Sequence, residues 1–166
     1  MINPGAPLRG AFLPLLRAHA LGNFGALLHA VSKDPAMLIY LDTAQSRKGQ
    51  PNENFAREVM ELFTLGEGRY TEQDIKEAAR AFTGWSMAQD RFAFEKRTRM
   101  HDPGAKTFFG QTGPFDGGDI IAILLRQPQA SHFIMRKLWS FFAYEDPEPE
   151  LVDALAPDAV GRGIRT

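Results

Sequence analysis

Apolar positions in the middle of the chain repeat at helical spacing and predict a first central helix from about Glu53 to Leu65. Its apolar residues stand at i, i+4, i+7 and i+8, which places them on one face of the helix. They are Phe55, Val59, Leu62 and Phe63. Gly66 and Gly68 follow directly, and glycine readily takes the left-handed conformation that ends a helix.

A second central helix is predicted directly after this glycine stop. Thr71 and Asp74 have the spacing of a capping box, with Asp in place of the usual Glu. The apolar stripe that follows consists of Ile75, Ala78, Ala79 and Phe82. Gly84 ends the stretch, just before Trp85. Residues 52–85 are therefore predicted to form the central helix pair of the fold.

The segment before this pair is also helical in pattern. Residues 8–31 are rich in Leu, Ala and Phe and predict two short helices, with Pro14 kinking or beginning the first. Asp34 and Pro35 form a typical helix start, with the aspartate as cap and the proline at the first helical position. The apolar run Met37–Leu41 then continues into the predicted core.

The last predicted helix runs from Pro128 to about Tyr144. Apolar residues cover most of its circumference, and a helix of this kind is normally central and buried. Residues 145–166 lose any packing face and are predicted to form an irregular tail. The whole chain, 1–166, is interpreted as a single helical domain and as a fragment of a longer protein.

A change of period between the helices predicts a small β-hairpin. Phe92 and Phe94 alternate with smaller or polar residues, and 107–110 is a second short extended segment. The turn-rich connection 101–106 lies between them, so these two segments are predicted to pair. The fold class is therefore predicted to be mainly α, a helical core with one small β-hairpin.

Charge and composition narrow the classes of function. Lys plus Arg number 19 and Asp plus Glu number 20, which gives a net charge of -1 and no electrostatic basis for binding nucleic acid. The chain contains no cysteine, which excludes disulfides, thiolate catalysis and cysteine-ligated metals. No apolar run approaches the roughly 20 residues of a transmembrane helix, and residues 1–12 lack the pattern of a signal peptide.

Two carboxylates on the first central helix are candidates for chemistry. Glu58 and Glu61 lie about one turn apart, beside the apolar face, where they could hold a metal ion or act as an acid/base pair. The alternative is structural. In that interpretation Arg57 and Glu61 form an i,i+4 ion pair, and Glu58 is a solvated or hydrogen-bonded neighbour.

The loop 101–106 carries a second set of candidates. His101, Asp102 and Lys106 could supply a metal ligand, a general base or, with the lysine, a phosphate clamp. In the alternative interpretation, Asp102 bonds the backbone at 103–104 of a turn, and the other two side chains are exposed. On the second central helix, Glu77 and Arg80 lie nearly opposite the apolar stripe. They form either a solvated surface or buried partners of Glu58 or Glu61.

Seven motifs in order give the chain a resemblance to a bacterial family, domain of unknown function 1800. They are HALGNF (19–24), DPAMLIYLD (34–42), NENFARE (52–58), ELFTLGEG (61–68), YTEQDIKEAARAFTGW (70–85), HDPGAKTFFGQTG (101–113) and RKLWSFF (136–142). The resemblance covers about 14–142. The residues that match the motifs and bear functional groups or special backbone positions are Asn54, Arg57, Glu58, Glu61, Arg80, Trp85, His101, Asp102, Gly104 and Lys106.

The resemblance implies a mostly helical protein, often exported to the bacterial envelope and often encoded beside a sulfatase-like partner. It implies no activity, and no pattern of residues in the chain indicates a particular cofactor or metal. Two hypotheses follow. The first is a helical scaffold or partner-binding module of an exported or envelope protein, whose partner is an envelope protein or the remaining segments of the longer chain. The second is an enzyme, hydrolytic or metal-assisted, that uses the loop 101–106 with Glu58 or Glu61.

Overall fold

Helices dominate the architecture, with two small hairpins inserted between the fifth and the sixth. The computed structural model describes residues 5–88, 90 and 92–161, and the side chains of 12–88, 90 and 92–156. The α-helices are α1 (Gly5–His19), α2 (Phe24–Ser32), α3 (Pro35–Tyr40), α4 (Glu53–Glu58), α5 (Glu72–Phe82), α6 (Gly117–Leu125), α7 (Pro128–Phe142) and α8 (Pro149–Gly161). Within these residues, no helix is both long and apolar enough to cross a bilayer.

The helix starts follow the capping patterns of the sequence. Asp34 caps α3 by accepting a hydrogen bond from the Ala36 amide at 2.8 Å, with Pro35 in the first turn. At α5, Thr71 and Asp74 form the predicted capping box. Each cap satisfies an amide that the first helical turn leaves without a partner. These predictions are confirmed.

The helix predicted over 53–65 changes halfway from α-helical to π-helical hydrogen bonding. After α4, residues Val59–Thr64 form a π-helical turn, in which the Leu65 amide donates to the Met60 carbonyl at 2.7 Å. The hydroxyl of Thr64 donates to the Val59 carbonyl at 2.7 Å. Gly66 and Gly68 follow with φ of 85° and 74°, so the predicted glycine stop is confirmed.

Two side chains of α7 support the irregular end of this segment. Lys137 Nζ donates to the Leu62 carbonyl at 3.1 Å, and Gln129 Nε2 donates to the Leu65 carbonyl at 3.4 Å. These are backbone acceptors near the helix end, where carbonyls lack regular partners. The π turn is therefore fixed by a helix far along the chain.

Aromatic rings connect α4 and α5 at the centre of the core. The ring centroids of Phe55 and Phe82 lie 4.8 Å apart, and those of Phe82 and Trp85 lie 5.1 Å apart, both edge-to-face. All three side chains are buried. A Cβ on Gly117 would lie 2.4 Å from Phe82 Cδ1, so α6 can approach this cluster only with glycine at that position.

The mainly α fold with a small hairpin is confirmed, but there are two hairpins in the described residues. Strands β1 (Trp85–Ala88) and β2 (Ala93–Lys96) pair antiparallel, and so do β3 (Lys106–Phe108) and β4 (Gln111–Gly113). The predicted pairing of Phe92 and Phe94 with 107–110 is wrong. The chain turns back at once after β3, because the two residues of its turn have positive φ and make a tight hairpin.

The predictions for the chain end need two corrections. Helix α7 is not central: it packs against α6, α8 and the π turn, and Ala130 is the one residue of this helix that is fully buried. Its apolar residues extend beyond the part of the helix surface that these three neighbours cover. Residues 149–161 form α8 rather than an irregular tail, with Val152 and Ala156 buried. Residues 162–166 lie outside the described part.

Candidate functional site

Arg80, near the end of α5, ties the loop 101–106 to the helix. Its Nε donates to Asp102 Oδ2 at 2.8 Å. Its Nη1 donates to Glu77 Oε2 at 2.8 Å and to the Ala105 carbonyl at 3.2 Å. One guanidinium therefore holds two carboxylates and the loop backbone, using the fixed fork of donors that arginine provides.

Thr83, the residue after α5, makes a second connection. Its hydroxyl donates to the Arg80 carbonyl at 2.5 Å and accepts from the Asp102 amide at 2.8 Å. The Thr83 carbonyl lies 2.9 Å from His101 Nδ1. A carbonyl can only accept, so Nδ1 carries the proton and donates. Thr83 thus fixes both the position and the tautomer of the half-buried His101.

Lys106 is buried, with 1% of its surface exposed. Its Nζ donates to the Asp102 carbonyl at 2.7 Å and to the Gly104 carbonyl at 2.9 Å. The ammonium therefore bonds the backbone of the loop from its buried side. A Cβ on Gly104 would lie 2.9 Å from Arg80 Nη2 and 3.0 Å from Asp102 Oδ1, so the backbone at this glycine lies directly against the ion pair.

Glu77 extends the contacts toward the second hairpin. Its Oε2 accepts from the Thr107 amide at 3.2 Å, and its Oε1 accepts from Gln73 Nε2 at 3.0 Å. Together with the bond from Arg80, these contacts engage both carboxylate oxygens of Glu77. We call Glu77, Arg80, Thr83, Asp102 and Lys106 the Arg80 network.

The ionisation of the network follows from these contacts. The hydrogen bond from Arg80, helped by the Gly104 amide, lowers the pKa of Asp102 to about 2, although burial acts in the opposite direction. The hydrogen bond to Asp102 raises the pKa of Arg80. Burial lowers the pKa of Lys106, while Asp102 acts to raise it. Asp102 is therefore an anion at neutral pH and a poor general base.

The structure decides between the two interpretations of the loop only in part. The turn in which Asp102 bonds the backbone is confirmed, because Asp102 Oδ1 accepts from the Gly104 amide at 2.9 Å. The accompanying idea that His101 and Lys106 are exposed is wrong: His101 is half-buried and bonds the Thr83 carbonyl, and Lys106 is buried and bonds two carbonyls. The partner of Arg80 lies in this loop and in α5, rather than at Glu58 or Glu61.

The two candidate glutamates make other contacts. Glu61 Oε2 accepts from the Tyr70 hydroxyl at 2.6 Å, and burial with this hydrogen bond raises the pKa of Tyr70 to about 12. Arg57 pairs with Glu72 at 3.2 Å, so the predicted Arg57–Glu61 ion pair is wrong. Glu58 is half-buried. None of the hydrogen bonds or ion pairs between described residues links these glutamates to the loop.

Two further observations concern ligand chemistry. Within the described residues, no group of three or more His, Asp or Glu side chains is placed to hold a metal ion. A cleft of about 570 Å³ lies beside the loop, lined by residues of 42–52 and by Met100. None of the five candidate side chains from the sequence lines this cleft.

Thr83 is the main residue that the sequence interpretation missed. Its hydroxyl and carbonyl organise His101 and Asp102, which lie 18 and 19 residues further along the chain. A threonine hydroxyl commonly bonds nearby backbone groups, so the side chain of Thr83 alone gave no sign of this role. The available signal was its place between Arg80 and Gly84 in the motif shared with the family.

The fold and the network define a mainly helical domain in which a loop is bonded to a central helix. The family model described as a protein of unknown function, DUF1800, matches residues 10–158. The chain therefore belongs to this family, as the motifs indicated. Searches of curated proteins and of solved structures found no match.

Proposed function

We propose that this chain is a helical scaffold that binds a partner protein in an exported or envelope assembly. The observation that carries the proposal is the aromatic end of α7. Phe141 is 81% exposed, Phe142 is 78% exposed and Tyr144 is 45% exposed. We call these three residues the α7 aromatic end. Exposed apolar surface of this kind is typical of interaction sites.

The arrangement of the α7 aromatic end supports a docking role. The rings of Phe141 and Phe142 meet edge-to-face with centroids 4.9 Å apart. Tyr144 packs in the same way against Trp139, at 5.6 Å. Rings supported by one another lose little side-chain freedom when a partner covers them, and aromatic residues contribute most of the affinity in many interfaces. The partner would therefore present a complementary apolar surface.

The bonds within the Arg80 network also favour a scaffold over an enzyme. A catalytic group needs a free lone pair, proton or charge aimed at the substrate. Asp102 and Lys106 instead bond to Arg80 and to the loop backbone. Such bonds are suited to fixing a loop on a helix.

Photocrosslinking in the native bacterium tests the proposal. A photoreactive residue replaces Phe141 in the full-length protein, and the matched control carries it at Lys76, an exposed position on α5. We expect one discrete adduct from position 141 and none from position 76, with the adduct lost when Phe142 is changed to Ser. Equal labelling from both positions, or no adduct from position 141, would contradict a partner-binding role.

One observation favours an enzyme as the second candidate function. Because His101 Nδ1 donates to the Thr83 carbonyl, the lone pair of the neutral imidazole lies on Nε2, and this is the usual arrangement of a metal ligand or a general base. The metal content of the full-length protein, measured for the wild type and for His101→Ala, tests this alternative. Bound metal that disappears in His101→Ala would support it, and an unchanged metal content would count against it.

A further inference from the structure

We infer that a cavity between α7, α8 and the loop after the π turn binds a phosphate group. The cavity has a volume of about 190 Å³ and is lined in part by Arg69, Gln129, His132, Arg136 and Asp153. Two arginine residues thus line one small cavity, and neither belongs to the Arg80 network. This inference is independent of the proposed partner-binding function.

The two arginines are available for a ligand. Neither Arg69 nor Arg136 has a hydrogen bond or an ion pair with any described residue, and the acidic residue of the cavity, Asp153, contacts a histidine. Asp153 Oδ1 lies 3.0 Å from His132 Nε2, and His132 Nδ1 donates to the Pro128 carbonyl at 2.7 Å, so the contact with Asp153 is an ion pair when both nitrogens of the imidazole are protonated. The carboxylate therefore meets a histidine rather than an arginine, and both guanidinium groups keep their donors.

The loop that carries Arg69 is held against α7, which carries Arg136. A Cβ on Gly66 would lie 3.2 Å from two atoms of the Phe133 ring, so the loop backbone rests on that ring. Gln129 Nε2 donates to the Leu65 carbonyl at 3.4 Å, which fixes the start of the same loop. The two arginines therefore stand on elements that already touch, and a ligand does not have to bring them together.

The size and charge of the cavity indicate which ligand it binds. A cavity of about 190 Å³ is smaller than the usual pockets for drug-sized ligands, roughly 300–1,000 Å³, and its size suits one phosphate group. Arginine recognises phosphate and carboxylate with paired N–H donors. Two cationic groups interact more strongly with a dianion than with a monoanion, so phosphate is favoured over a simple carboxylate.

Titration of the 166-residue chain with inorganic phosphate, followed by amide chemical shifts, tests the inference. We expect saturable shifts at Arg69, Gln129 and His132, and binding about tenfold weaker in Arg69→Gln and in Arg136→Gln, as for loss of a charge-assisted hydrogen bond. Arg99→Gln, an exposed arginine outside the cavity, is the matched control and should bind like the wild type. Spectra of the unliganded variants verify that each is folded.

Two further probes define the ligand. Acetate should bind more weakly than phosphate, and equal affinity would overturn the assignment to a dianion. Glycerol phosphate identifies the source: tighter binding than inorganic phosphate indicates a phosphomonoester of a larger molecule, and weaker binding indicates the free ion. No saturable shift with either phosphate probe, or an equal loss of affinity in Arg99→Gln, would overturn the inference.

Discussion

The Arg80 network and the α7 aromatic end differ in how completely their groups are satisfied. In the network, Arg80, Asp102 and Lys106 bond to one another or to backbone groups, and Lys106 is buried. At the α7 aromatic end, Phe141 and Phe142 expose about four-fifths of their surface (81% and 78%). One region contains the chemical groups usually associated with catalysis, and the other contains apolar groups usually found inside a protein.

The difference shows that residue type alone does not indicate a role. Charged residues that are bonded internally hold parts of a fold in place, and removing one of them is costly because its buried partner is left without a bond. Aromatic residues that are left exposed do not stabilise the fold by burial, since they remain in water. We therefore propose a role in stability for the network and a role in interaction for the aromatic end, and the following experiments separate the two proposed roles.

The largest effect is expected from two lysines that make the same kind of bond. Lys106 donates to carbonyls while buried, and Lys137 donates to the Leu62 carbonyl while exposed. Lys106→Ala should lower the free energy of unfolding by about 3 kcal/mol, through lost packing and unsatisfied carbonyls. Lys137→Ala should lower it by less than about 1 kcal/mol. Urea unfolding of both variants measures the difference, and equal losses would contradict the structural role assigned to the buried Lys106.

A smaller effect that depends on pH is expected at Asp102. Its pKa is about 2 in the folded protein, against an ordinary value of 3.8, so its ionised form stabilises the fold. This contribution, roughly 2 kcal/mol, is complete above about pH 5 and is lost as the pH falls through 2. Asp102→Asn should therefore be less stable than the wild type at pH 7 and similar to it near pH 2. A difference that persists unchanged at acid pH would contradict the ion pair.

The smallest effect on stability is expected at the α7 aromatic end. Phe141→Ser and Phe142→Ser together should change the free energy of unfolding by no more than about 0.5 kcal/mol, because both side chains are exposed. The double variant should nevertheless remain monomeric and dissolved at higher concentration than the wild type. Sedimentation velocity and thermal unfolding measure the two properties. A marked loss of stability would show that these rings belong to the core.

Much of the fold could be predicted because its signals are local. The capping box at Thr71 and Asp74 spans three residues, and the glycine stop at Gly66 follows directly from the preference of glycine for positive φ. The π turn could not be predicted, because it is supported by Lys137, which lies 75 residues from its acceptor Leu62. The exposure of α7 was missed for a related reason, since an apolar pattern does not reveal how many neighbours will cover it.

The candidate site could be predicted only as a set of residues. The sequence placed His101, Asp102 and Lys106 in one turn-rich loop, and the bond from Asp102 to the backbone at Gly104 is a local property of such a turn. The partner of Asp102 is Arg80, 22 residues earlier in the chain. The burial of Lys106 depends on how the second hairpin packs on α5. The sequence pattern of the loop does not reveal this packing.

Hydrogen exchange at the amides of the loop 101–106 and of the following strand and turn, 106–109, tests the central claim most directly. The Asp102 amide donates to Thr83 Oγ1, the Thr107 amide to Glu77 Oε2 and the Phe109 amide to Asp74 Oδ1. If the Arg80 network fixes the loop on α5, these amides should exchange only through large-scale unfolding, about as slowly as the amides inside α5. Exchange at the rate of a free loop, while α5 remains protected, would contradict the structural role assigned to the network.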